Sequence, residues 1–238
     1  MRILAIGDIH GCSNAFDTLI KMVNPGEGDR IITLGDYVDR GPDSKGVIDR
    51  LIELHKGGQL VALRGNHEIM MLEARSHPNA LNGWKMSGGH ETLLSYNSSS
   101  KKPRLEDVPA EHWEFLEQTC VDCWEEETHF FVHANADPDR PLSEQSDHDR
   151  FWAKFYNARP HHSGKVMVCG HTSQKSGQPL NYGYAVCIDT RVYSNKGWLT
   201  CLDVTTGRMW QANQKGEKRT AWIDEFEIEP YRFKSAFF

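Results

Sequence analysis

Five short apolar runs, each stopped by a polar cluster, set the terms on which this 238-residue chain can fold. They are RILAIGDIHG (2–11), RIITLGDYVDRG (30–41), QLVALRGNHE (59–68), THFFVHAN (128–135) and KVMVCGHT (165–172). Short, largely β-branched runs of this kind read as strands buried on both faces. Helical patterns separate the first three. Ala15, Phe16, Leu19, Ile20 and Val23 recur at three- and four-residue spacing behind Ser13, which is placed as an N-cap. Val47, Ile48, Leu51 and Ile52 repeat the spacing after Asp43 and Ser44. Strands alternating with helices imply βαβ units and a sheet that begins parallel. Sites in such sheets form beyond the carboxyl ends of the strands, where all five polar clusters sit.

The rest of the chain reads as cover and closure of a single domain over residues 1–238. A helical insertion is expected at about 76–127, covering one side of the site; Val108, Trp113, Phe115 and Leu116 are its buried positions, and the polar stretch 97–104 is an exposed loop. From about 183, YAVCID, WLTCLDV and RMWQA are separated by turn signals at 195–197 and 205–207, which suggests an antiparallel meander closing a second sheet. The tail 213–238 carries apolar residues that must bury against something, such as a partner subunit.

A net charge of −6 argues against non-specific nucleic-acid binding, which needs basic surface. It does not exclude a phosphorylated substrate, because bound cations reverse the local charge. No apolar run approaches the roughly 20 residues needed to span a bilayer, and the N-terminal apolar stretch is too short for a signal peptide. The six scattered cysteines read as reduced thiols of a cytoplasmic protein. Cys120 and Cys123 form a lone CxxC without the second pair that a zinc site needs.

Asp8 and His10 are two residues apart. On a strand end, positions i and i+2 share a side, so both can ligate one ion. Asp36 can bridge two ions through its two oxygens, Asn66 brings an amide oxygen, and His133 and His171 bring imidazole nitrogens. That mixed set suits manganese, iron or zinc better than calcium or an all-oxygen magnesium cage. Two such ions about 3.5–4 Å apart clamp a phosphoryl group and generate hydroxide near neutral pH. Singly, each residue has an ordinary explanation, such as an aspartate forming a turn. Six of them at the ends of five runs do not.

The same segments carry a family resemblance. GDIHG (7–11), GDYVDRG (35–41), RGNHE (64–68), VHA (132–134) and GHT (170–172) resemble the ordered motifs of metallophosphoesterases of the phosphoprotein phosphatase type, over roughly residues 1–190. The chain looks most similar to the small bacterial serine/threonine phosphatases, with the symmetrical dinucleoside tetraphosphatases as near relatives; DPDRPLSEQ (137–145) resembles the segment after the fourth motif in the bacterial enzymes. The resemblance implies an α/β fold, the calcineurin-like sandwich of two mixed β-sheets flanked by helices. It assigns Asp8 and His10 to one metal, Asn66, His133 and His171 to the other, and Asp36 to the bridge between them. His67 would be the general acid for the leaving alkoxide, oriented by Asp39, and Arg40 would hold phosphate oxygens through its planar fork. Arg64 and Glu68 are read as structural.

Two positions depart from the pattern. Asn135 stands where a small, flexible residue is expected. Lys154, in FWAKF (151–155), stands where relatives tend to carry a second phosphate-binding arginine. A lysine is a point charge and cannot grip two oxygens in one plane, so a weaker hold or a different substrate shape is expected. The expected activity is phosphomonoester hydrolysis on a phosphoprotein, by attack of metal-bound hydroxide, with manganese as the first choice of ion and iron or zinc as alternatives. Neither nucleic acid nor membrane is expected as a partner. Symmetrical hydrolysis of a dinucleoside tetraphosphate is the alternative. A catalytically inactive metal-binding scaffold comes third, against the presence of His67 and Asp39. The remaining histidines match no motif and read by default as surface or satisfied core positions, lining of the pocket by His90 being the minor alternative.

Overall fold

A computed structural model describes residues 1–97, 99 and 103–228. The first runs become β1 (Ile3–Ile6), β2 (Arg30–Thr33) and β3 (Leu60–Ala62), all parallel, joined by α1 (Ser13–Val23) and α2 (Ser44–Lys56). Helix α3 (Asn66–Ser76) leads into the short helices α4 (Leu81–Trp84), α5 (His90–Tyr96) and α6 (Ala110–Glu114). A second sheet then begins with β4 (Cys123–Glu125) and β5 (His129–Val132). After α7 (Asp147–Phe151) it is completed by β6 (Val166–Cys169), β7 (Leu180–Asn181) and β8 (Ala185–Cys187) in the order β4-β5-β6-β8-β7. Strands β9 (Leu199–Asp203), β10 (Arg208–Ala212) and β11 (Lys218–Trp222) return to the first sheet, whose order is β11-β10-β9-β1-β2-β3.

Alternation along each strand explains why the runs are apolar throughout. Leu4 and Ile6 pack outward with Phe16, Leu19, Val47 and Leu51 of the helices, while Ala5 points inward with Phe131, Val168 and Val186 of the second sheet. Phe130 and Val132 in turn pack outward against Phe155. Strands that bury both faces carry no polar positions until they end. The α/β sandwich of two mixed sheets is therefore the observed architecture. No helix among the described residues is long and apolar enough to cross a membrane.

Three expectations need correction. The meander does not close the second sheet: β9 pairs antiparallel with β1, so β9–β11 extend the first, while YAVCID forms β8, parallel to β6. An alternating pattern fixes which face of a strand is buried but not which sheet receives it. Ser13 does not cap α1, because the helix starts at Ser13 itself, with Cys12 before it and no side chain in the cap role. The segment 76–127 is helical only as far as Thr119, and its last part enters the second sheet as β4. Within it, Val108, Trp113, Phe115 and Leu116 are all buried. The tail buries Ile223 in its own chain, between the sheets. Residues 229–238, and 98 and 100–102 of the expected loop, lie outside the described residues.

The turn after β2 is tied to the start of α3 by Glu68, which is fully buried. One carboxylate oxygen accepts the N–H groups of Asp36 and Gly65, each at 2.8 Å, and the other accepts those of Tyr37 at 2.7 Å and Val38 at 3.3 Å. Both oxygens are thus acceptors, and neither can be replaced by an amine. Glu68→Gln should leave two buried N–H groups facing an NH₂, a loss of about 2–4 kcal/mol. In a chain of this size the melting temperature should fall by roughly 5–15 °C. A fall of less than about 2 °C in a calorimetric scan would show that the clamp does not hold the turn.

Candidate metal centre

The loops leaving the carboxyl ends of β1, β2, β3, β5 and β6 bring Asp8, His10, Asp36, Asn66, His133 and His171 to one edge of the sandwich. The pleat of a strand is not what sets Asp8 beside His10. Strand β1 ends at Ile6, and the amides of Ile9 and His10 both donate to the Asp36 carbonyl, at 3.0 and 2.7 Å, so one loop is sewn to the next. His10, Asp36, Asp39, Arg40 and His171 all have left-handed backbones, and with Asn24 and Arg191 they complete the seven non-glycine residues of that kind among the described residues. Such conformations persist where hydrogen bonds over-determine them.

Asp36 is the hub. One oxygen lies 3.5 Å from His10 Nε2 and the other 3.4 Å from His133 Nε2, so each faces a different imidazole. Burial works to raise its pKa, but His133, His67 and His10 hold it well below the usual carboxylate range. In both ligand imidazoles the other nitrogen is committed: His10 Nδ1 donates to the Val38 carbonyl at 2.9 Å, and His133 Nδ1 to that of Leu34 at 2.7 Å. Each Nε2 therefore presents a lone pair. His133 Nε2 meets Asn66 Oδ1 at 3.0 Å, and that oxygen is also 2.9 Å from His171 Nδ1. With His133 Nδ1 committed to Leu34, an Nε2 that carries no proton turns its lone pair to that oxygen, and a cation between the two would relieve the opposition. Two clusters have their ligand atoms within 4.8 Å of one another: His10, Asp36 and His67, and Asp36, His133 and His171. The donor set fits divalent metal.

Asp8 belongs to neither cluster. Its carboxylate accepts the His171 amide at 3.1 and 3.0 Å, and burial, then Asp189 and Asp36, push its pKa well up. Burial pushes His10 well down and His171 to about 3, so both ligands are neutral. A neutral imidazole is the form that binds metal.

His67 is differently placed. Its Nδ1 donates to Asp39 Oδ2 at 2.6 Å, and burial, which lowers its pKa, is outweighed by the charges of Asp36 and Asp39, so the net shift is upward. The helical insertion builds this pair. Trp84 Nε1 donates to both Asp39 oxygens at 3.1 and 3.0 Å, and Thr92 Oγ1 donates to Oδ1 at 2.7 Å while accepting the Asp39 amide at 2.8 Å. Trp84 and Thr92 were not legible as site residues, since nothing in sequence ties them to Asp39. Arg40 reaches His10 Nε2 at 2.6 Å and His67 Nε2 at 2.8 Å, at the mouth of a cleft of about 300 Å³ also lined by Asn66, Lys154, Tyr156 and Ser173. Arg64 instead braces a loop, through Asp122 at 2.8 Å and the Cys120 carbonyl at 3.0 Å.

The two unusual positions touch. Asn135 is buried, and its Nδ2 donates to the Lys154 carbonyl at 2.9 Å while its Oδ1 accepts the Ala136 amide. Lys154 Nζ lies 3.1 Å from His171 Nε2. His90 is exposed and does not line the cleft, and no cysteine enters either cluster among the described residues. Asp189 was missed. It is buried, the second residue after β8, accepts a hydrogen bond from Ser173 Oγ at 2.7 Å, and has its pKa raised, chiefly by burial. Its signal was present, because YAVCID is an apolar run ending in an acid like the others.

Residues 1–197 match the family described as calcineurin-like phosphoesterase. Serine/threonine-protein phosphatase 1 of Salmonella typhimurium is 38% identical over 92 residues, 37% of this chain and 39% of that protein. A symmetrical bis(5'-nucleosyl)-tetraphosphatase of an Acidovorax species is 41% identical over 76 residues, 31% of this chain and 26% of the relative. The chain thus spans only 26–39% of the length of these curated relatives. Among solved structures, a putative diadenosine tetraphosphatase superposes with a TM-score of 0.63 at 19% identity, covering 93% of each chain. A cold-active protein tyrosine phosphatase gives 0.62 at 17% identity, over 95% of this chain and 80% of that one. With the match running through every strand-end loop of the centre, the chain belongs to the calcineurin-like phosphoesterase family.

Proposed function

We propose that the chain is a dinuclear-metal-dependent phosphomonoester hydrolase, acting on phosphorylated serine or threonine in protein. The observation that carries the reading is Asp36, whose two oxygens face His10 and His133 beside the His67–Asp39 pair. Asp8 and His10 would hold one divalent ion, Asn66, His133 and His171 the other, and Asp36 both. Manganese is the ion first proposed, with iron and zinc as alternatives for an N/O donor set. When bound, the ions supply Lewis acidity, offsetting phosphoryl charge and making water a stronger nucleophile near neutral pH.

The chain's own groups do the rest. Arg40 offers its planar fork to two non-bridging oxygens, and Lys154 adds a point charge across the cleft. With Asp36 and Asp39 raising its pKa, His67 would give an Nε2 proton to the departing oxygen as the P–O bond breaks, once Arg40, whose N–H that nitrogen accepts here, has turned to the phosphoryl oxygens. A second reading, symmetrical cleavage of a dinucleoside tetraphosphate, is supported by the tetraphosphatase relatives and by the end-to-end superposition on the putative diadenosine tetraphosphatase.

Assay of the manganese-loaded chain against phosphoserine and phosphothreonine proteins and dinucleoside tetraphosphates should release inorganic phosphate from the first group. Nucleoside diphosphate as the dominant product would replace the first reading with the second. Asp36→Asn should lose metal content and p-nitrophenyl phosphate hydrolysis together, as read by atomic absorption and initial rates; a variant keeping both would remove the bridging assignment. His67→Asn should keep its metal but lose about 10²–10⁴-fold in kcat on alkyl phosphates. Its loss on aryl phosphates should be much smaller, because their leaving groups need no proton. Equal losses on both would rule out the general-acid role.

A further inference from the structure

Arg191 lies at the same sheet edge, the fourth residue after β8. Its backbone is left-handed, with φ 58°, a conformation costly for a residue bearing a Cβ. Five of the other non-glycine residues in that region form the metal centre, and the sixth, Asn24, ends α1. Arg191 is held there because its amide donates to Asp189 Oδ1 at 2.9 Å. Strain of this kind clusters at ligand-binding positions.

The side chain supplies the second observation. Three arginines have a buried Nε without a hydrogen-bond partner: Arg50, Arg150 and Arg191. Arg50 and Arg150 still hold acids through other nitrogens, Glu53 and Asp147, each at 2.8 Å. Arg191 forms no ion pair among the described residues. Its Cζ lies 5.7 Å from the centroid of the Tyr193 ring, and the same ring has Arg40 Cζ at 4.8 Å and the His10 ring at 5.0 Å. The Tyr193 ring therefore neighbours both the guanidinium proposed for the reacting phosphoryl group and a second one that forms no ion pair among the described residues.

We propose that Arg191 is a specificity-determining residue that binds a second phosphoryl group, next to the one held by Arg40, in a substrate bearing an oligophosphate chain. The inference rests on the phosphoryl-hydrolysis reading above and favours its nucleotide branch. The probes are methylenediphosphonate and methylphosphonate, neither of which can be hydrolysed, titrated calorimetrically into the manganese-loaded chain. Arg191→Gly should weaken methylenediphosphonate by about 10- to 100-fold and methylphosphonate by less than about threefold, as for loss of one charge-assisted hydrogen-bonding group. Arg191→Lys should fall between, keeping the charge without the fork. The glycine variant should also melt higher, since glycine adopts the left-handed backbone without strain, which shows that it folds. Equal weakening of both probes would make Arg191 a ligand of the reacting phosphoryl itself, and no weakening of either would leave it outside the site; each result overturns the proposal. Because binding is read without turnover, a chain that hydrolyses no phosphoester would sink the functional reading and still decide this one.

Discussion

A carboxylate cut off from water is stable only where opposite charge or N–H donors replace its hydration, and Asp36 occupies such a place at the junction of two sheets. It is joined there by Asp8 and Asp189, both buried and both pushed toward their neutral forms. The imidazoles around them do not restore the balance alone. Burial that raises an acid's pKa lowers a histidine's, and His10 and His171 are held neutral for that reason. Were Asp8, Asp36 and Asp189 all ionised, neutral His10 and His171 could not balance them. Divalent cations at this edge would supply the missing charge, and their binding would then stabilise it.

The glycines in the motifs follow from the same crowding. A Cβ on Gly170 would stand 2.0 Å from Asp8 Oδ1, and one on Gly65 would stand 2.3 Å from Asp36 Oδ1. Each carboxylate occupies the volume that a side chain would need on the loop facing it. The glycine before His171 and the one before Asn66 therefore make the room that Asp8 and Asp36 occupy, from loops after other strands. Glu68 completes the arrangement by fixing the Asp36 turn to the start of α3 through backbone amides.

Much of this was legible in the sequence, because local pattern decides it. Both faces of the strands are buried, so the runs stay apolar until they end, and polar ligands can appear only past that point. The helix faces of α1 and α2 were readable from spacing alone. What was not legible depends on contacts between distant segments. Whether β9 joins the first or the second sheet is settled by its pairing with β1, some 200 residues away, and no alternation encodes that. Trp84 and Thr92 are unremarkable in a helical segment until the fold turns both onto Asp39. Asp189 has a local signal of the same kind, as the acid that ends the apolar run YAVCID.

The centre thus divides by origin. The ligands and their glycines sit on short loops after buried strands, where sterics and charge leave little freedom. The groups proposed to meet the rest of a substrate come from elsewhere. Lys154 is held by Asn135 across the cleft, Tyr156 follows it, and Arg191 and Tyr193 lie in the loop between the second sheet and the first. Apart from the Arg191 amide, which Asp189 accepts, none of these bonds to the buried acids of the centre. The Asn135 contact to the Lys154 carbonyl shows one such coupling directly: an amide in place of a small residue fixes the backbone of the loop that carries the lysine. A fold of this kind keeps its phosphorus chemistry in loops it cannot alter cheaply and leaves choice of substrate to loops it can.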